Sequence, residues 1–393
     1  MNSFQQAVAL AAVIALYALM RSAVRGTRAP GGPAPVPAPA TEGAFGHLAT
    51  QDWMVTSYLL VLTLLVGFGS GDRQPQAMRW ILLDDLGFVF LLALARAPQT
   101  PRRLADMAYR IALPGAIIAT FTQLHYILPS ASATSWDAQI YAADKALFHF
   151  EPAEAWDRYV NPRTTEWFSF FYYLYFGILL VHIVPMSLFE RRMHVLREFS
   201  WGIFTAFCVG QLVYTLVPGF GPYRLLAARF EHPLEGDVFW PLVAKTVASF
   251  DGTHRTDIFP SLHTAVPSFF TLFAYRHRDK LPFRYTWPLM AFVTTNIILA
   301  TMFLRWHYLL DVLAGLTLAA TAFATARRLP AREDARRSEA GLPPIWRPLF
   351  GDSLPARGRS DAEAGGDAPQ PLDAPYLAPS RTSADRADRA RKY

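Results

Sequence analysis

The chain has 393 residues, of which 52% are hydrophobic, 14% aromatic and only 17% charged. Soluble enzymes carry about a quarter charged residues, so this composition excludes an ordinary soluble domain. The net charge of +6 does not mark a nucleic-acid binder, because the basic residues sit in short turns between apolar blocks. One cysteine, Cys208, excludes an intrachain disulfide.

Residues 4–20 form a short apolar run followed by Arg21, Arg25 and Arg28. A secretory signal needs a positive leading segment and a small-residue cleavage site, so residues 1–28 read as a retained N-terminal span. Residues 29–52 open with a proline- and alanine-rich run and read as an extended linker. Apolar blocks follow at 53–69, 80–95, 109–128, 167–189, 199–217, 260–275, 286–304 and 307–326. Each is expected to be a helix, because a lipid-embedded segment must satisfy its own backbone hydrogen bonds. In the 80–95 block Asp84 and Asp85 lie near the start, so that helix is expected to begin later or lie partly in the interface. From Arg327 to Tyr393 the chain is charged and rich in alanine and proline, and is expected to be a disordered cytoplasmic tail. The fold class is therefore all-α: a polytopic membrane helix bundle of about nine spans. Two accessory spans occupy 53–108, and a six-span core occupies 109–326.

The turns set the orientation. Arg102, Arg103 and Arg110 surround one turn; Arg191, Arg192 and Arg197 a second; Arg276, Arg278, Lys280 and Arg284 a third. Arg327, Arg328, Arg332, Arg336 and Arg337 follow the last block. If every block crosses, these four basic regions share one side, which the positive-inside rule makes the cytoplasm. The longer segments 129–166 and 218–259 then face outward.

This topology brings two distant motifs to the outer boundary. One is Phe259-Pro-Ser-Leu-His263, and the other is Arg305-Trp-His307-Tyr-Leu-Leu-Asp311. Pro260 suits the first turn of a helix, whose free N–H groups and dipole attract an anion. His307 and Asp311 are four apart, so on a helix they share a face and the carboxylate orients the imidazole. Ionisable groups in spans are expensive, which favours a functional reading of His263 and His307. His125 and His182, lying alone in their blocks, read instead as satisfied polar groups. Arg305 is a candidate phosphate ligand or an interfacial anchor. Arg224, Tyr223 and the glycines 219 and 221 lie in a second outer segment, as candidate ligands or as a tight turn. A zinc reading would need His263 or His254 beside His307 and Asp311, and the nearby arginine favours an anion over a cation. The residues thus outline an anion site at the lipid–water boundary, where a lipid phosphate lies. No metal or organic cofactor is expected.

At these residues the chain resembles the type 2 phosphatidic acid phosphatase superfamily. Pro260-Ser261-Leu262-His263 is similar to its Pro-Ser-Gly-His motif, with Leu for Gly, and His307, Asp311 and Gly315 match its last motif. The lysine/arginine-proline motif is missing, and Thr301 stands where the family has an arginine six residues before the histidine. These departures resemble the branch of inositol phosphorylceramide synthase and sphingomyelin synthase. Gly221-Pro222-Tyr223 and the segment Trp136-Asp137…Asp144-Lys-Ala-Leu-Phe148…Pro152…Trp156 have the same branch character, and the likeness spans roughly residues 109–326. The resemblance implies that His307 is the nucleophile, Asp311 its orienting partner and His263 the acid/base. It also implies that Ser261, Arg305 and Arg224, with Tyr223 beside them, hold phosphate oxygens.

The function expected is transfer of a phosphate-containing lipid headgroup to an alcohol acceptor, of the inositol-phosphate type, through a phosphohistidine. Hydrolysis of a lipid phosphate, with water as acceptor, is the alternative within the enzyme class. An inactive membrane scaffold or transporter is the alternative outside it. The protein is expected in a plasma or inner membrane, its site on the outer face.

Overall fold

The computed structural model describes residues 48–97, 99–132, 134–249 and 256–351. The expected N-terminal span, most of the 29–52 linker, His254 and the tail after residue 351 lie outside the described residues.

Every apolar block within the described residues is helical. The chain runs through α1 (Thr50–Gly67), α2 (Gln74–Arg96), α3 (Arg102–Thr122) and the short α4 (Leu124–Ala131). Next come α5 (Asp137–Phe148) and α6 (Pro152–Trp156), neither long enough to span, and then α7 (Pro162–Phe189) and α8 (Met193–Leu216). After α9 (Pro222–Leu225) and α10 (Phe239–Ser249), the chain enters α11 (Leu262–Arg276), α12 (Phe283–Phe303), α13 (Leu309–Ala326) and α14 (Leu329–Glu339). Among the described residues five helical segments are long and apolar enough to cross a membrane: α3, α7, α8, α12 and the stretch Leu309–Glu339. One of the nine expected spans lies outside the described residues, and three of the other eight blocks fall short of that length or apolarity for identifiable reasons. Helix α1 opens with Gln51 and Asp52, α2 carries Arg79, Asp84 and Asp85, and α11 has only 15 residues. Fifteen residues rise about 22 Å, short of a hydrocarbon core about 30 Å thick.

Helix α8 is apolar on nearly every side and is accordingly the most enclosed element. It packs against α1, α3, α11 and α13, while α11 sits between α12 and α13 and α7 lies along α12. Gly315 allows the close meeting of α11 and α13, since a Cβ there would reach within 2.5 Å of the Ser261 carbonyl oxygen.

Two expectations change. Helix α2 begins at Gln74, earlier than the sequence suggested, because Asp85 is accommodated mid-helix by the Thr63 hydroxyl, which donates to it at 2.7 Å. The first part of the supposed disordered tail is structured. Helix α14 buries Leu329, Pro330, Glu333 and Arg337, and Ile345 and Trp346 are buried after it. Glu333 accepts from the Thr50 hydroxyl at 2.7 Å and pairs with Arg336 at 2.8 Å, tying this segment to the start of α1.

Candidate active site

Helix α12 ends in a Schellman motif that aims the next residues. Arg305 takes the left-handed conformation (φ 66°), its N–H donates to the Met302 carbonyl, and the Trp306 N–H reaches back to the Thr301 carbonyl at 3.0 Å. The His307 N–H joins the same carbonyl at 3.1 Å. Helix α13 then starts at Leu309 with Tyr308 as N-cap, so His307 lies just outside it. The sequence placed His307 and Asp311 on one helical face. They meet instead because Asp311, in the first turn, folds back over the helix start. Its Oδ2 accepts the Tyr308 N–H at 2.9 Å and lies 3.4 Å from His307 Nδ1. Both residues are buried.

The second histidine arrives on α11. Pro260 is not in its first turn. Ser261 is the N-cap, its hydroxyl oxygen accepting the Thr264 N–H at 3.3 Å and its own N–H donating to the Asp311 carbonyl at 3.0 Å. That bond ties the starts of α11 and α13 together. His263 follows within the first turn, its ring stacked on Tyr172 at 4.5 Å and against Tyr175 at 4.1 Å. The His263 and His307 ring centroids are 6.2 Å apart.

Both rings line one cavity of about 110 Å³, together with Tyr214, Tyr223, Asp257 and Trp306. Tyr223 is held by its N–H donating to the Arg305 carbonyl at 2.8 Å. Burial raises the Tyr223 phenol above its ordinary value, so at neutral pH it is an uncharged O–H donor. Gly221 makes this turn possible. Its φ is 103°, and a Cβ would come within 2.4 Å of the Trp306 carbonyl oxygen.

The cavity lining does not include Ser261, Asp311, Arg224 or Arg305. Ser261 and Asp311 act from behind it, as cap and as partner to His307. Arg224 lies with its guanidinium 3.8 Å from the centre of the Phe220 ring, itself a lining residue. Arg305 corrects the sequence reading. Its guanidinium donates to Asp157 at 2.7 Å and to the His232 carbonyl at 2.5 Å, and it stacks over Phe230. It pins the outer loops to the end of α12 rather than facing the cavity. Burial alone would raise the Asp157 carboxyl. Hydrogen bonds from His232 and the Glu231 and His232 N–H groups, with the Arg305 charge, outweigh it and hold the group low.

Residues 138–325 match a family model described as the PAP2 superfamily. The match supports a phosphatase- or phosphotransferase-type enzyme acting on phosphate-containing lipids. No curated protein and no solved structure matches the chain. The PAP2-like stretch starts within α5 and ends within α13, so it contains both histidines and Asp311 but not α1–α4 or α14.

Within or beside this PAP2-like stretch the structure gives work to residues that sequence reasoning left without a role. Asp137 accepts the N–H groups of Phe220 at 2.8 Å and Gly221 at 2.7 Å, and the Tyr308 hydroxyl at 3.1 Å. Asp144 accepts the N–H groups of Leu309 at 2.8 Å and Leu310 at 3.0 Å, capping α13 from a separate helix. Their spacing of seven was the available signal, since two helical turns place both on one face of α5. Tyr172, Tyr175 and Phe176 were legible in the same way, as an i, i+3, i+4 face that cradles His263. His125 and His182 make local contacts instead, with the carbonyls of Thr122 at 3.0 Å and Ile178 at 2.8 Å. Among the described residues no group of three histidine, cysteine or acidic side chains is placed to hold a metal.

Proposed function

We propose that the protein is an integral membrane phosphotransferase that moves a phosphate-containing lipid headgroup to an alcohol acceptor through a phosphohistidine on His307. The observation that carries this is the pair of imidazoles lining one cavity with their centroids 6.2 Å apart, one of them backed by a buried carboxylate. That separation leaves room for a phosphoryl group between the rings. Asp311 facing Nδ1 favours the tautomer with its proton there, which leaves Nε2 to attack phosphorus. The bond from phosphorus to the lipid alkoxide breaks as His263 gives it a proton. His263 then takes the proton of the acceptor hydroxyl, whose oxygen attacks phosphorus and releases His307.

The positive character available to the bound phosphate comes from His263, as the proton donor, and from the start of α11, since His307 attacks as a neutral ring. That supply suits the single charge of a phosphodiester better than the double charge of a phosphomonoester, which supports headgroup transfer over monoester hydrolysis. Tyr223 donates to a non-bridging oxygen, and Arg224 approaches when a headgroup displaces it from Phe220. We place the cavity outward and α14 on the cytoplasmic side, with every apolar block crossing, the short α11 included, so that the basic turns share one side.

Purified protein in mixed micelles with phosphatidylinositol and a labelled lipid alcohol such as diacylglycerol as acceptor tests this. Headgroup exchange faster than release of phosphate or inositol phosphate is the expected result. Release without exchange makes water the acceptor and overturns the transferase reading.

A further inference from the structure

A second cavity, of about 330 Å³, lies between α3, α7 and α8 and is lined almost wholly by apolar side chains. It adjoins the histidine pocket, since Phe121 and Phe176 line both. From those two residues it follows one face of α3 through Ile118, Ile117 and Pro114 to Arg110, and one face of α7 down to Ser187. Eleven residue-to-residue steps of helix on each wall give it a length of about 16 Å. That is close to one leaflet of a hydrocarbon core about 30 Å thick. Its side is open to lipid, since Ile118, Leu180 and Val184 are exposed along the helix surfaces that border it.

The far end is closed by a polar floor. Arg110 is buried, and its guanidinium donates to the Ser187 carbonyl at 2.6 Å and the Arg347 carbonyl at 2.5 Å. The Trp346 indole, carried by the segment after α14, lies 5.4 Å from that guanidinium and 5.0 Å from the Tyr109 ring. A groove that starts beside the histidine pocket, runs the depth of one leaflet and ends on a fixed floor has the form of a chain-length gauge.

We propose that this groove holds one acyl chain of the lipid whose phosphate occupies the histidine pocket, and that Trp346 and Arg110 set the longest chain accepted. This rests on reading the histidine pocket as a lipid-phosphate site. The chain enters sideways past Leu180 and Ile118, and its methyl end meets the indole. Chains longer than the groove must bend or leave methylenes outside, losing the burial that shorter chains gain.

Two opposite substitutions test it, assayed on phosphatidylinositols and phosphatidic acids of graded chain length. Ser200→Phe fills the groove from the α8 wall and is expected to lower the long-to-short ratio of kcat/KM by about tenfold. Trp346→Ala removes the floor and is expected to move the preference toward longer chains. Loss of stability moves both ratios the same way or neither, so ratios that fail to diverge overturn the proposal. A second measurement does not need turnover. Phosphatidic acid with a photoreactive chain end is expected to label peptides containing Ile203 and Trp346 in the wild type and to lose that labelling in Ser200→Phe. Labelling spread evenly over lipid-facing helices such as α2 overturns the groove. Groove labelling without turnover of any lipid leaves the chain site standing and overturns the transfer chemistry.

Discussion

His307→Ala is expected to reduce turnover by about 10⁴-fold or more while the protein still folds and extracts normally from membranes. The ring's side-chain partner is Asp311, at the long distance of 3.4 Å, so its removal costs the fold little. It costs the reaction its covalent step. Asp311 needs a gentler change, because its Oδ2 also accepts the Tyr308 N–H and caps α13. Asp311→Asn keeps an oxygen for that cap and removes the charge facing the imidazole. A loss of about 10²–10⁴-fold is expected there, with KM little changed. Equal activity in His307→Ala and wild type would leave only the scaffold or transporter reading.

The second large effect is expected at residues that do not line the cavity. Asp137 joins the Gly221 turn to Tyr308, and Asp144 caps the helix that carries Asp311. Asp137→Ala strands two backbone N–H groups and a tyrosine hydroxyl, at about 1–3 kcal/mol for each buried group left unpaired. The Tyr223 turn is then free to shift against His307, and a displacement of about 1 Å costs near 10²-fold in rate. Asp144→Asn retains one acceptor oxygen and is expected to recover part of the activity lost in Asp144→Ala. Thermal unfolding measured beside kcat separates the two contributions. If all three variants lose stability and kcat in strict proportion, the aspartates only hold the fold, and their positioning role fails.

The sequence read well where one segment decided the outcome. Apolar blocks became helices because an isolated span has no other way to satisfy its backbone. Readings went astray where the outcome depended on which distant group arrived first. Arg305 looked like an anion ligand beside His307, yet its left-handed position in the turn directs its guanidinium to Asp157, nearly 150 residues earlier in the chain. His307 and Asp311 were paired correctly for the wrong reason: a helix start, not a helical face, brings them together. The tail after Arg327 is polar enough to look unfolded, but Glu333 and Trp346 find partners on α1 and α3 that composition does not reveal.

The central claim is that His307 is the residue that becomes phosphorylated. Brief incubation with substrate lipid labelled at phosphorus, followed by denaturing quench and peptide mapping, tests it directly. The account predicts an acid-labile, base-stable label on the peptide containing His307, absent from His307→Ala and both slower to form and slower to clear in His263→Ala, which lacks the acid of the first step and the base of the second. A label on His263 instead, or none on the protein while lipid is turned over, would contradict it.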